Sequence, residues 1–431
     1  MHTPTARPPG AARGSRRPGG LLRQRNFRLL WTGETISQLG SSTATVAMPL
    51  LAVITLHAST FMVTTLTATA YLPWLLIGLP AGAWVDRLDR RRLMIGCDLA
   101  SALLYASLPL AAWLSILTIG QVLVVALLAG AANVLFATAY QVYLPSLVTS
   151  GELVEGNAKL QGSSSAASIG GPAIAGFTAA AFGAALSLLL NAASFLVSAA
   201  CLLPIDGQRQ GRGSTARRQR LRQEIAEGVR FVARDPYLRP MTIWAALVNL
   251  ALTGYGALVV VFLLRAAGLG AGTAGTLMAA SGLGGVLGAL AASRIARRYG
   301  TARALQLTAA AGMPFALLIP LTGAGWRMLF FLTGTLITFS AVVVGAIILS
   351  SFRQAYCPPH MLGRVVATMR FLLYGVNPAG ALLGGGLSTL LGIRNALWIM
   401  LGAAVLSGAC LLTPTFRGLH DLPAAPGSPV R

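Results

Sequence analysis

Apolar runs long enough to cross a lipid bilayer recur along this chain, and they limit its fold more than any other feature. Examples run from Met94 to Leu117, from Ile119 to Leu135 and from Ala396 to Leu412. A membrane-spanning helix needs about 20 predominantly apolar residues. Inside hydrocarbon only a helix or a closed barrel satisfies every backbone N–H and C=O. Of the residues, 55% are hydrophobic and 10% charged, against about 25% charged in a soluble globular chain. So little charge cannot cover a water-soluble surface. Breaks at Pro, Gly and charged residues divide the sequence into twelve expected spans. They lie near 27–56, 60–85, 92–115, 119–147, 153–181, 183–203, 238–264, 271–296, 302–322, 326–352, 364–390 and 393–413. The expected fold class is all-α: a polytopic membrane protein with twelve transmembrane helices in two pseudo-symmetric six-helix halves.

The formal net charge is +22. The arginines do not cluster with stacking aromatics on one domain, so nucleic acid is not the expected partner. They sit in short connections between spans. With both termini on one side, all but three of the 33 Lys and Arg residues fall on that side. The exceptions are Arg265, Arg327 and Arg394. By the positive-inside rule the termini are cytoplasmic and the number of spans is even. The expected location is the inner (cytoplasmic) membrane, multi-pass.

Residues 1–26 are rich in Arg, Pro and Gly and lack an apolar core. They read as a disordered basic tail rather than a cleaved signal peptide. Residues 27–203 and 238–413 form the two halves, and 414–431 a second cytoplasmic tail. The connection 204–237 ends in "LRQEIAEGVRFVAR", with Leu221, Ile225, Val229 and Val232 on one helical face. Two readings fit: an amphipathic helix on the membrane surface, or a linker helix packed on the bundle. Cys97, Cys201, Cys357 and Cys410 have no metal-ligand spacing and lie in or beside apolar spans. They read as packing residues, with no metal and no cofactor expected. A monomer is the expected state.

The halves resemble each other in sequence. "GELVEGNAKLQGSSSAASIGGPAIAG" opens the fifth span and "PHMLGRVVATMRFLLYGVNPAGALLGG" the eleventh. Gly156 aligns with Gly363, and Pro172 nearly with Pro378. Two parallel six-helix repeats around a midplane cavity are a common design of secondary transporters.

Between the second and third spans stands "GAWVDRLDRRR", residues 82–92. Gly82 allows close helix approach. Asp86 lies at a helix end, where the dipole and neighbouring arginines act on it. Arg87, Asp89, Arg90 and Arg91 complete a loop suited to latch the halves in one state and release them in another. The cluster can also meet anionic lipid heads, which makes membrane lipids expected partners. The plainer reading is that the cluster only sets topology. This stretch resembles the signature loop of the major facilitator superfamily, at the position where that family carries it. The "DRLDRRR" form, with Asp89 where Gly is usual, resembles the drug:proton antiporter branch that contains macrolide-efflux proteins and the enterobactin exporter. "GGPAIAG", residues 170–176, resembles the fifth-span motif of antiporters, and the resemblance implies a gate-sealing role for Gly171, Pro172 and Gly176. "LGRVVATMRF", residues 362–371, resembles the eleventh span of that branch. The fourth span lacks the intramembrane Arg of other drug-antiporter branches.

Charges within a span are costly, at about 2.5–3.5 kcal/mol at the helix centre on insertion scales, so they mark function. Glu34 lies two turns into the first span, followed by Gln38, Ser41 and Thr45 on one stripe. Glu34 and Asp98 are the proton-coupling candidates. A carboxylate paired with a nearby Arg is the alternative for each. Gln38, Asn133, Gln141, Gln161, Asn249, Tyr374 and Asn377 are cavity-lining candidates, each equally able to make a helix–helix hydrogen bond.

The expected function is secondary active export of amphiphilic small molecules in exchange for protons. No GxxxxGK[ST] loop is present for ATP. Two other classes stand beside it. Asp86 and Asp89 form a D-x-x-D of the kind a membrane prenyltransferase uses, although the matching loop "ARRYGTAR" holds no second acidic cluster. A transport-dead sensor or a lipid flippase is the third.

Overall fold

The computed structural model describes residues 21–85, 87–148, 152–205, 227–416 and 418–423. Every regular element among them is helical. Twelve helices are long and apolar enough to cross a membrane, and their bounds follow the apolar runs. They are α1 (Arg25–Thr55), α2 (Thr60–Val85), α3 (Arg90–Trp113), α4 (Ile119–Leu147), α5 (Leu153–Phe182) and α6 (Ala184–Leu202). The second half holds α7 (Leu238–Ala266), α8 (Ala271–Tyr299), α9 (Thr301–Leu321), α10 (Gly325–Tyr356), α11 (Pro359–Gly375 and Asn377–Leu391) and α12 (Ile393–Leu411).

Local chemistry sets the ends. Asp89 caps α3 by accepting from the Arg92 N–H at 3.0 Å, and Thr118 caps α4 by accepting from Gln121 at 3.2 Å. Such caps satisfy backbone donors that the first turn leaves free. Gly183 and Gly392 are one-residue connections from α5 to α6 and from α11 to α12. Their φ values of +86° and +84° are open to glycine and costly for other residues.

The repeat reappears in these details. Each half turns its fifth helix into its sixth on a positive-φ glycine. Each also ends its first helix in a π turn, Leu51–Thr55 and Phe262–Ala266. Within the halves, Gly171 of α5 lies against Ser42 and Thr43 of α1, and Gly380 of α11 lies against Leu250 of α7. Helix α11 differs from the continuous span expected. It breaks at Val376, where Pro378 lacks the N–H that would continue the ladder.

Of the connection between halves, 227–234 is helical. A side chain at Gly228 would stand 2.9 Å from the Arg364 carbonyl. Val232 is buried with Leu238, Met241, Val365 and Met369. This part therefore packs on the bundle, while Val229 is exposed. Leu221 and Ile225 lie outside the described residues, as do residues 1–20 of the first tail. The second tail is docked as far as it is described. Phe416 is fully buried, and Gln306 of α9 donates to the Leu411 and Phe416 carbonyls, each at 3.2 Å.

Candidate functional site

The halves meet along two helix pairs, α5 with α8 and α2 with α11. The contacts concentrate at the end of the bundle that carries the α1–α2 and α7–α8 connections, here the far end. A Cβ on Gly176 would stand 2.7 Å from the Ala271 carbonyl oxygen, and one on Gly275 would stand 2.5 Å from that of Pro172. Small residues bring these backbones together. On the other pair, Gly385 meets Thr64. A seal of Ala52, Val53, Ala58, Val63 and Val261 closes over them. Arg265 crosses between halves there, donating to the Ala58 carbonyl at 2.7 Å.

Toward the other end, which carries the start of α1 and the end of α12, the same faces part. Residue 82 lies 18 positions from Thr64, five turns of about 3.6 residues and thus on the same side of α2. A Cβ on Gly82 meets nothing within 4 Å. Gly162 lies almost four turns from Gly176 on α5 and also meets nothing. Between closed and open ends, Trp74 stacks on Tyr374 across the halves with ring centroids 4.8 Å apart.

Above this stack a cavity of about 490 Å³ lies between the halves. Helix α1 contributes Ser41, Ser42 and Thr45; α2 contributes Thr67 and Tyr71; α3 contributes Tyr105. Ser168 and Pro172 come from α5, Asn249, Thr253 and Tyr255 from α7, Met278 and Ser281 from α8, and Phe339 from α10. Both halves thus present hydroxyls beside aromatic rings, and among the described residues no charged side chain lines the space.

Of the seven expected lining residues, Asn249 faces this cavity. Asn377 is 3% exposed and accepts from the lining residue Thr253 at 3.0 Å. Gln38 donates to Glu34 at 2.8 Å. Tyr374 is in the aromatic stack, and Asn133, Gln141 and Gln161 are exposed outside the lining. Tyr71, Tyr105, Tyr255 and Phe339 were not singled out by sequence. Their signal, aromatic rings at midspan, is the same as that of ordinary core packing.

Glu34 and Asp98, 64 residues apart in sequence, lie near enough to act on each other electrostatically. They are electrostatic neighbours within the first half, beside Tyr140 of α4 and Ser198 of α6. Asp98 is 2% exposed. Its Oδ2 and the Tyr140 hydroxyl are buried without a hydrogen-bond partner. An unsatisfied buried polar group costs free energy. The cluster lies outside the cavity lining.

In the signature loop, Asp86 lies outside the described residues. Arg87 and Asp89 are exposed, and Asp89 also sits 3.9 Å from Arg92. Arg90 is half-buried. Arg91 donates to carbonyls at the end of α6. Among the described residues no group of three His, Cys, Asp or Glu side chains is placed to hold a metal.

Comparison with known proteins agrees with this architecture. A family model described as MFS_3, transmembrane secretion effector, matches residues 18–424. The multidrug efflux pump Tap of Mycolicibacterium fortuitum is 30% identical over 406 residues, covering 90% of this chain and 95% of Tap. A bacterial homologue of the iron transporter ferroportin shares the fold in two conformational states at 16% identity. Its inward-facing structure gives a TM-score of 0.71, covering 91% of this chain and 98% of that one. Its outward-facing structure gives 0.60, covering 91% and 100%. These relatives are transporters, not enzymes, and the prenyltransferase alternative falls away.

Proposed function

The chain belongs to the MFS transmembrane secretion effector family, and from that premise we propose that it is a proton-coupled exporter of amphiphilic small molecules working by alternating access. One observation carries the reading. A cavity between two repeats, lined by hydroxyls, an amide and aromatic rings, is sealed at one end by glycine-to-backbone contacts and parted at the other. A cavity with an apolar body and a few placed polar groups suits a partly hydrophobic molecule. Rocking about the midplane would exchange which end is shut.

The arginine distribution supports cytoplasmic termini; on that reading the parted end is the inward one and this conformer awaits substrate from inside. The multidrug relative supports the efflux direction. Glu34 and Asp98 are the proposed proton site. It lies beside, not within, the substrate cavity, so proton and substrate would compete through conformation instead of direct displacement. The loop at 82–92 would latch the inward end when it closes.

The test is reconstitution in proteoliposomes with an imposed pH gradient, following accumulation of an uncharged aromatic amphiphile. Accumulation that collapses with a proton ionophore supports the reading. Accumulation indifferent to both gradient and ionophore, but responsive to sodium, would replace the proton by sodium.

A further inference from the structure

We propose that the molecule carried in the central cavity is uncharged in its bound form. It would be a neutral amphiphile with hydroxyl or carbonyl groups, rather than an organic cation or anion. The proposal rests on the exporter reading and names the substrate class of that site.

The argument starts from what the walls can offer. Ser41, Thr45, Ser168, Asn249, Thr253 and Ser281 are dipoles without net charge. Thr45, Ser168 and Ser281 donate to carbonyls of their own helices and Thr253 donates to Asn377, so these four offer acceptor oxygens to a ligand's hydroxyl groups, and none of the six can neutralise an ion. The remaining surface is aliphatic and aromatic, so an ion entering it loses hydration without gaining a counter-charge.

Aromatic faces could favour a cation. Here they are partly engaged with other rings. Tyr105 stacks on Phe195 at 5.8 Å, and Tyr255 tilts against Phe339 at 6.4 Å. Along α1 the carboxyl below the cavity is Glu34. It is seven residues, or about 10 Å of helix rise, from Ser41, and Gln38 engages it. A neutral amphiphile is the ligand these walls satisfy completely. Its rings pack between the tyrosines and its polar groups meet the hydroxyls of both halves.

The test uses two naphthyl esters of the same shape. One carries a 3,3-dimethylbutyl group and the other a trimethylammonioethyl group, so they differ only in charge. Binding to the purified full chain in nanodiscs is measured by titration calorimetry, with empty nanodiscs as the partition control. The neutral ester is expected to bind about tenfold or more tightly than the cation. Thr45→Asp, which adds a carboxylate to the wall, should cancel or reverse that preference. Thr45→Asn, its uncharged control, should preserve it.

Equal or tighter binding of the cation by the unaltered protein sinks the proposal. So does the absence of saturable binding of the neutral ester below about 1 mM, or a preference that Thr45→Asp leaves unmoved. The exporter reading fails separately. Binding of the neutral ester without gradient-driven accumulation would remove that reading and leave this one. Gradient-driven accumulation of the cation alone would do the reverse.

Discussion

Arg91 donates from Nε to the backbone carbonyl of Leu202 at 2.8 Å, and from Nη2 to the carbonyl of Leu203. These carbonyls lie at the C-terminal end of α6, where no following turn supplies N–H donors, and Leu202 accepts besides only from the Ile205 N–H, at 3.3 Å, among the described residues. Gln306 does the same at the end of α12 in the second half, through Leu411 and Phe416. Each half therefore ties the start of its third helix to the end of its sixth. Arg91→Ala should lower stability by about 1–3 kcal/mol, the range for leaving such groups unpaired. Arg92, with a side chain 87% exposed, should tolerate Ala within about 0.5 kcal/mol. Thermal unfolding of the two purified variants checks this. Equal melting temperatures would show that the α6 carbonyls find water instead.

Gly82 tests the latch from the opposite direction. Its face of α2 carries cross-half contacts at the far end and meets nothing within 4 Å at its own position. A bulky side chain is therefore free of clashes in this conformer and obstructs the state in which the inward end closes. Gly82→Leu should fold normally, bind substrate and lose transport by about tenfold or more, as a change of about 1.4 kcal/mol in the conformational equilibrium suffices for tenfold. Gly176→Ala acts at the other end, where the added carbon meets the Ala271 carbonyl at 2.7 Å. It should shift the population toward the outward-open state. Distances between spin labels at the two ends of the bundle would show the shifts in opposite directions. Shifts of the same sign would refute a rocking motion about the midplane.

The fold was legible because bilayer thickness and backbone hydrogen bonding admit few solutions for twelve apolar runs. Span positions followed to within a few residues, although Gly183, read as the start of the sixth span, is the one-residue turn before it. The site was less legible. Asn249 stood out as a polar residue within a span, while Tyr105 and Tyr255 did not, because hydropathy treats a ring facing a cavity like one facing a neighbour. Exposed Asn133 and Gln161 show the converse: polarity in a span does not specify a direction. The three consecutive arginines 90–92 look interchangeable in sequence. Helical rotation gives them different surroundings, and Arg91 reaches α6. The break at Val376 was not expected, although Pro378 accounts for it.

The docked tail has a predictable pH range. Hydrogen bonds from His420 and from the Thr301 backbone hold the Asp421 carboxyl below the usual carboxylate range. A carboxyl with a depressed folded-state pKa contributes stability above its unfolded value, about 3.9, and loses it as pH falls through the folded value. The stability that the Asp421 carboxyl contributes, through Oδ1 with the Thr301 N–H at 2.8 Å, should therefore be retained above about pH 4 and be lost as pH falls below it. Hydrogen exchange at the Leu422 amide, which donates to Thr301 Oγ1 at 2.8 Å, reports it. The Asp421→Asn variant should exchange faster at neutral pH and show no further step at low pH. An acid step persisting in that variant would assign the pH sensitivity to another group.

Glu34 and Asp98 make the most demanding prediction, because their proximity turns two candidate sites into one. If the pair holds the transported proton, replacing either carboxyl removes the same function. Glu34→Gln retains shape and can still hydrogen-bond Gln38, and Asp98→Asn retains volume in a buried position. Each should reduce gradient-driven accumulation by about tenfold or more, while exchange of substrate without a gradient stays within about twofold of normal. Groups acting as a unit are strongly non-additive, so the double variant should be no worse than the more damaged single one. Glu34→Asp should retain partial coupling, since a titratable carboxyl remains at that position. Proteoliposomes with an imposed pH gradient give all four rates. If the two losses multiply in the double variant, the carboxyls act independently. If Glu34→Gln alone accumulates substrate normally, Asp98 carries the proton without it.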